Sequence, residues 1–409
     1  MPPHGTQAVD SRALGRRLRE ARTARGFTQQ DAAEALAVAR TTITSLEQGD
    51  HKAWPDELIR LASLYGKRVS DLVGPKDLVA DFAAQFHTAT ARIDSGDVQN
   101  ELREVLPEFQ NLCQDYLYLE QLNGISFRPA YPPQYPTDGL SPEEVGQDVA
   151  SCEHDRLGLG DGPILQLRET LELDTGLWIF SIPLPSRIAG IFIYTDELGG
   201  CIAVNARHPA ELRRWSLAYE YACFLTCRHQ PNISMPGAHH RVSASGQIAD
   251  AFARCLLMPA QGLRRRFNGI LQTGGGKVTA ADVSRIAHYY FVSVEAMTLR
   301  LEELGVLPRG TWERLRNQGL KVRQAPEFQV LPLRPSDGGL LPLRYKFLAA
   351  RAYEAERLTE GQLARFLRTD RVSARGTFQR LSNTVHVLDG GKADALPLEL
   401  AASITKQVS

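Results

Sequence analysis

The chain has 409 residues, more than one ordinary core accommodates, and its 47 Lys and Arg are balanced by 47 Asp and Glu. Zero net charge excludes a protein that is basic over its whole surface, so any contact with nucleic acid has to come from a local patch. No uninterrupted apolar stretch approaches the roughly 18 residues of a membrane span, which excludes a helical membrane protein.

The first residues, Met1-Pro2-Pro3-His4-Gly5, show no basic leader followed by an apolar run, and a cytoplasmic protein without membrane contact is expected. Leu14, Leu18 and Ala21 then describe a short amphipathic helix ended at Gly26, and its exposed side is expected to carry Arg16, Arg17, Arg19 and Arg22. This is the local basic patch. Thr28 opens a second helix with Ala32, Ala33 and Leu36 inward, and a third begins at Arg40 with Ile43 and Leu46 inward. A later helix from Asp56 to Tyr65 buries Leu58, Leu61, Ala62 and Leu64, and Val69 and Leu72 close the bundle.

Two helices joined by a tight turn, the second presenting short polar residues, suit insertion into a major groove about 12 Å wide. The segments Gly26-Phe27-Thr28-Gln29-Gln30-Asp31-Ala32-Ala33, Thr41-Thr42-Ile43-Thr44-Ser45-Leu46-Glu47-Gln48-Gly49 and Leu58-Ile59-Arg60-Leu61-Ala62 resemble the phage-repressor-like (XRE) helix-turn-helix family. The resemblance implies that Gln29, Arg40, Thr41, Thr42 and Ser45 face double-stranded DNA. Arg16, on the basic helix, is expected to join them. Two residues depart from the family pattern. Ala37 stands at the turn position usually held by Gly, and Ala39 replaces the usual Ser cap, a change that removes about 1 kcal/mol of capping.

Residues 76–142 read as a helical connecting region. Leu102, Leu106, Phe109, Leu112, Tyr116 and Leu119 recur at three- and four-residue spacing. That stripe has to be buried, either inside the chain or as the seam of a homodimer, and operators with two half-sites roughly 34 Å apart favour a dimer. The Pro- and Tyr-rich stretch from Phe127 to Pro142 reads as a linker.

A helix is expected near Val145 to Leu157, and the loop Gly158-Leu159-Gly160-Asp161-Gly162-Pro163 reads as a turn, since no strand precedes it and no Lys-Ser/Thr follows. Three apolar runs follow, Leu177–Ile182, Ile188–Tyr194 and Cys201–Val204, each of strand length and rich in Ile and Val. Turn residues separate them, and they are expected to form a small antiparallel sheet.

After the sheet come Asn205, His208-Pro209, Arg213-Arg214 and a helix through Trp215, Tyr219, Glu220, Cys223 and Cys227. Phe252-Ala253-Arg254-Cys255-Leu256-Leu257-Met258-Pro259 lies beyond. This order is similar to the ImmA/IrrE family of zinc metallopeptidases, over about Val145 to Leu307. In a His-Glu-x-x-His helix the two His lie on one face and the Glu serves as general base. The resemblance places the first His ligand on Tyr219 and the second on Cys223, and keeps only the base, as Glu220. The third ligand, a Glu just before the Phe-Ala motif, has no counterpart, because Ser243 to Ala249 contains no Glu or Asp. Without a metal, water keeps a pKa near 15.7 rather than ~7, a loss of about 12 kcal/mol that Glu220 alone cannot supply. Tyr219, Glu220 and Cys223 are therefore read as a vestigial site with no catalytic residue, no metal and no cofactor.

The remaining cysteines leave one alternative. Cys223 and Cys227 lie four apart on one helix face, with His229, His239, His240 and Cys255 nearby in sequence, and two Cys with two His would close a structural zinc site. The bland reading is that Cys223 and Cys227 are small buried hydrophobes among the six thiols of the chain.

Thr279 to Leu304 reads as two helices around Phe291-Val292-Ser293, a second helix-turn-helix-like piece, preceded by the solvated basic run Arg264-Arg265-Arg266. Pro332, Pro335, Ser336, Gly338 and Gly339 set off a helical tail in which Thr359 and Gln362 form a capping box. The expected fold is mainly α with a small sheet: a DNA-binding head over 10–75, helical connection over 76–142, a peptidase-like domain over 143–310 and helices over 311–409. The expected function is a repressor-type regulator whose peptidase-like domain senses a small-molecule or peptide effector or serves assembly. The alternatives are a metallopeptidase with substituted ligands that cleaves a repressor, and an antitoxin-like protein that binds a partner.

Overall fold

The computed structural model describes residues 11–51, 53–67, 72, 82–86, 96–124, 131–236, 243–318, 339–382, 386–387 and 393–394. Val69, Phe127 to Pro129, His239, His240, Pro332, Pro335, Ser336 and Gly338, which entered the sequence reading, lie outside them. By its packing the chain divides into two compact units, Met1–Asp81 and Phe82–Ser409.

The first unit holds α1 (Ser11–Ala24), α2 (Gln29–Leu36), α3 (Arg40–Gln48) and α4 (Pro55–Tyr65). The expected apolar positions, Leu72 included, form its core, except that Leu64 is only half-buried and Tyr65 takes the inward place at the end of α4. Thr28 caps α2 in a reciprocal box with Asp31, whose carboxylate accepts the Thr28 N–H at 2.7 Å. A Cβ on Gly15 would come within 2.5 Å of the Glu47 carbonyl oxygen, so α1 and α3 meet backbone to backbone there and only Gly fits. Ala37 ends α2 at φ 55° and ψ 45°, a left-handed conformation that costs an L-residue with a Cβ about 1 kcal/mol. Ala37→Gly is therefore expected to raise the local opening free energy of the α2 and α3 amides by about 1 kcal/mol in hydrogen exchange. Unchanged or faster exchange would show that the turn is not strained.

One charge was misplaced by the sequence reading. Arg22 is buried, not part of the exposed basic face. Its guanidinium donates to both Glu47 oxygens, at 2.6 and 3.1 Å, and to the Phe27 carbonyl at 2.7 Å. Arg17 is half-buried and donates to the Leu72 carbonyl at 3.0 Å, so that of the four arginines expected on the basic face Arg16 and Arg19 are exposed.

The second unit is built around a sheet of β1 (Trp178–Ile182), β2 (Gly190–Thr195), β3 (Gly199–Asn205) and β4 (Asn232–Ser234), in the order β1-β3-β2-β4. It is mixed rather than antiparallel. β2 pairs antiparallel with both β3 and β4, but β1 runs parallel to β3. The reason is the connection from β1: Pro183 and Pro185 prevent a tight hairpin, and the chain crosses over so that β3 enters between β1 and β2. Asn205, fully buried at the end of β3, pins that crossover by accepting the Leu184 N–H at 3.2 Å and donating to the Pro185 and Ile188 carbonyls.

Helices α5 (Phe82–Gln85) and α6 (Gly96–Leu122) lie on one face of the sheet. Tyr116 stacks on Trp178 with ring centroids 4.3 Å apart, and Phe109 meets Phe180 edge to face at 6.0 Å. The α6 stripe is thus consumed by packing within the chain, which answers one of the two readings left open by its periodicity. On the opposite face lie α7 (Pro142–Arg156), α8 (Leu167–Asp174), α9 (Ala210–Thr226) and α10 (Ala244–Leu257). Helices α11 (Ala260–Thr273), α12 (Ala280–Tyr289), α13 (Val294–Glu303) and α14 (Thr311–Asn317) follow, with α12 and α13 packed around the expected turn. Arg265 pairs with Asp161 and Arg266 lies 3.5 Å from the centroid of the Tyr289 ring, so this basic run is engaged by its own domain. Of the last helices, α15 (Leu343–Glu354), α16 (Glu360–Phe366) and α17 (Arg371–Ser382), the first packs on α6 through Tyr345 and Tyr116. The capping box forms as expected, with the Thr359 N–H donating to Gln362 at 2.7 Å. A short ladder of β5 (His386–Val387) and β6 (Ala393–Asp394) ends the described chain.

Candidate functional site

Two places bring chemistry-bearing residues together, one in each unit. In the first unit α3 is anchored by buried Ile43 and Leu46, which turns the start of the helix outward. Arg40 and Thr41 are exposed there, with Thr42 and Ser45 half-buried beside them, and Arg16 is exposed on α1. Ala39 supplies no side-chain cap to α3. Gln29 differs from the other predicted contacts in that both ends of its amide are held. It donates to Glu47 at 2.8 Å and accepts from the Thr44 hydroxyl at 3.3 Å. Sequence reading missed Glu47, which holds Arg22 and Gln29 together and so links α1, α2 and α3.

In the second unit α9 crosses the sheet with ten consecutive or near-consecutive buried residues toward its C-terminal half, Glu220 among them. The Glu220 carboxylate accepts from the Ser234 hydroxyl at 2.5 Å and from the Asn232 amide at 2.9 Å, so both partners come from β4 and neither is the Tyr219 hydroxyl. Complete burial raises its pKa to about 7 from an ordinary 4.5, against the lowering effect of those two hydrogen bonds. A Cβ on Gly190 would sit 2.9 Å from Glu220, so the β2 backbone approaches the carboxylate as closely as Gly allows. β4 carried no readable strand pattern, and this half of the site was not foreseen.

Tyr219, half-buried, packs against the main core, and burial holds its phenol above its ordinary range. Cys223 is buried and its thiol donates to the sulfur of Cys227, which raises Cys223 well above the usual thiol range. The same bond, with help from the Thr226 hydroxyl 3.9 Å away, lowers Cys227 to about 7 despite its partial burial. Among the described residues no three His, Cys, Asp or Glu side chains converge on a point that could hold a metal ion.

On the other side of α9, Glu153 is buried and accepts from the Tyr135 hydroxyl at 2.9 Å, from Tyr221 and from Arg156 at 2.7 Å. This network fixes the face of α9 that carries Tyr221. Residues 131–141, read from sequence as linker, are irregular and run along the end of the helix: Tyr135 donates its N–H to the Leu225 carbonyl at 2.9 Å and Gln134 its amide to the Thr226 carbonyl. Between this strap and the start of α10 lies a cleft of about 550 Å³, lined by Gln134, Asp138, Cys227, His229, Ser245 and Ile248 among others. Ile248 belongs to the segment where the family resemblance would place an acidic ligand.

Two family models match the chain, one in each unit. A helix-turn-helix domain family matches residues 13–69, and the IrrE N-terminal-like domain family matches residues 173–302. The HTH-type transcriptional regulator ImmR from Bacillus subtilis (strain 168) is 33% identical over 66 residues, which are 16% of this chain and 52% of that protein. The chain thus spans about half the length of the curated relative it matches. The crystal structure of ComR from Streptococcus suis aligns over 91% of this chain and 88% of that chain, at 11% identity and a TM-score of 0.15. The protein carries an N-terminal helix-turn-helix domain and an IrrE-like domain. Among the described residues no helix is long and apolar enough to cross a membrane.

Proposed function

We propose that the protein is a sequence-specific DNA-binding transcriptional regulator of the repressor type, in which α3 reads the major groove. The observation that carries this reading is the outward-facing start of α3, where Arg40 and Thr41 stand exposed above a buried Ile43 and Leu46. Arg suits bidentate contact with guanine and Thr suits a base edge or the thymine methyl, while Arg16 on α1 suits phosphate. A regulator of this kind works in the cytoplasm, and operators with paired half-sites favour a homodimer, whose interface is a surface other than the α6 stripe.

In this reading the IrrE-like domain has lost its zinc ligands at Tyr219, Cys223 and the segment before Phe252, and serves as a sensor or assembly module rather than a peptidase. The support is that Glu220 is engaged by β4 rather than presented to a reaction centre, and that Tyr219 and Cys223 stand where the resemblance places the two His ligands. The cleft beside Cys227 is the place for a small-molecule or peptide effector.

A gel shift on the DNA upstream of its own coding region tests the head. Arg40→Ala and Thr42→Ala are each expected to weaken specific binding by about 1–3 kcal/mol while leaving non-specific binding to competitor DNA within a factor of a few. Full affinity in both variants would move the DNA-reading surface away from α3.

A further inference from the structure

The second unit contains two pairs of neighbouring free thiols, one of which includes Cys223 of the old metal position, and they differ in access. Cys113 on α6 and Cys201 on β3 hydrogen-bond to each other, and both are fully buried between helix and sheet. Cys223 and Cys227 form the other pair. Cys223 is buried within α9, whereas Cys227 caps the helix and lines the cleft.

We propose that Cys223 and Cys227 form a reversible dithiol–disulfide site that reacts with a peroxide entering through the cleft. Four residues of α-helix rise roughly 6 Å, and disulfides join Cα atoms roughly 4.4–6.8 Å apart. Cys227 has left helical geometry, at φ −141° and ψ 45°, while its N–H still bonds to the Cys223 carbonyl at 2.9 Å. The bridging residue is therefore tethered next to its partner but free of the rigid i to i+4 side-chain direction of a helix interior. The two thiols are already neighbours in the reduced chain, near enough for each to change the other's proton affinity.

The chemistry divides the roles. The Cys227 sulfur, as thiolate, attacks one peroxide oxygen; the O–O bond breaks, the leaving oxygen takes up a proton, and Cys227 becomes a sulfenic acid. The Cys223 sulfur then attacks the Cys227 sulfur. An S–S bond forms, the S–O bond breaks, and the departing hydroxide takes the Cys223 proton as water. Two thiols and one peroxide give one disulfide, one alcohol or water from the peroxide, and one water. Cys227 is the attacking residue because it faces the cleft and accepts two hydrogen bonds, from Cys223 and Thr226. Cys223, buried and keeping its proton until the second step, resolves.

The site is also placed to change its surroundings. Cys227 leads through the turn at Gln230 into β4, whose Asn232 and Ser234 hold Glu220, and Cys227 itself forms part of the cleft wall. Drawing Cys227 onto Cys223 shifts both.

The test uses the full-length protein and hydrogen peroxide, followed by alkylation and peptide mass analysis. Trypsin releases Trp215 to Arg228, a single peptide that contains both cysteines and no other. The expected result is that this peptide becomes two hydrogens lighter and resists alkylation before the Cys113 and Cys201 peptides change, and that dithiothreitol restores it. Cys223→Ser is expected to leave a Cys227 sulfenic acid trapped by dimedone, and Cys227→Ser to abolish the reaction at this peptide. Alkylation of both sulfurs in peroxide-treated protein, or oxidation of Cys113 and Cys201 first, would overturn the proposal. So would stoichiometric zinc in the untreated protein lost together with its reactivity in Cys227→Ser, since the pair would then be a metal site.

Discussion

Arg22→Ala is expected to unfold the helix-turn-helix unit or leave it marginal, with a loss of about 3–5 kcal/mol and no specific DNA binding. The Arg22 and Glu47 side chains are 9% and 4% exposed, and the substitution leaves Glu47 as a carboxylate buried between helices with, among the described residues, only Gln29 to donate to it. The complementary change, Glu47→Ala, strands the guanidinium and is expected to cost a similar amount, and it also frees Gln29 from the position in which Glu47 and Thr44 hold it. Much of the cost in either single variant is that of the abandoned charge rather than the worth of the pair. The double change Arg22→Met with Glu47→Leu should therefore recover most of the lost stability. Its DNA affinity should recover less, because Gln29 keeps its Thr44 bond but not the acceptor that fixed its amide nitrogen. Far-ultraviolet circular dichroism in urea, with a gel shift on the same preparations, reads both effects. Single variants that melt within about 1 kcal/mol of the parent would show that the ion pair does not hold the head together.

The same residue shows where the sequence was readable and where it was not. The apolar spacing located α1 to α4, because each helix buries one stripe and the caps at Thr28 and Gly49 mark ends of α2 and α3. Arg22 was assigned to the exposed face by its charge. Yet it lies four residues after Leu18 and next to Ala21, on the buried side, and an acidic partner that sits inside α3 was the missing signal. In the second unit β1 to β3 were visible as Ile- and Val-rich runs, but β-rich composition does not distinguish parallel from antiparallel neighbours. The mixed sheet follows from the prolines after β1 and from the tight turn between β2 and β3. Half of the α9 site was legible, since Tyr219, Glu220 and Cys223 lie on one helix at known spacing. The other half was not: β4 is three residues long, and its Asn232 and Ser234 gave no periodic pattern to read.

Those two residues set the terms of the second large effect, which concerns Glu220. Its folded pKa of about 7 lies above the ordinary 4.5 because burial disfavours the carboxylate more than Asn232 and Ser234 favour it. A group whose pKa rises on folding stabilises the fold fully below its unfolded pKa, and that contribution is lost as the pH rises through the folded pKa. The peptidase-like unit is therefore expected to lose about 3 kcal/mol of stability between pH 4.5 and pH 7 from this group, with no further loss above. Glu220→Gln keeps the shape without the charge, and the Asn232 amide can turn over to present its oxygen to the new Gln amide. The variant should show a flat profile over the same interval, equal the parent in acid, and exceed it above pH 7 by about the same 3 kcal/mol. Unfolding of the full chain across this pH range, followed by the fluorescence of Trp178 and Trp215, measures it. A parent and variant with parallel pH profiles would mean that Glu220 is solvated enough to ionise freely. A variant less stable than the parent at pH 8 would mean that the carboxylate, not the carboxylic acid, is the form that the surrounding fold is built to hold.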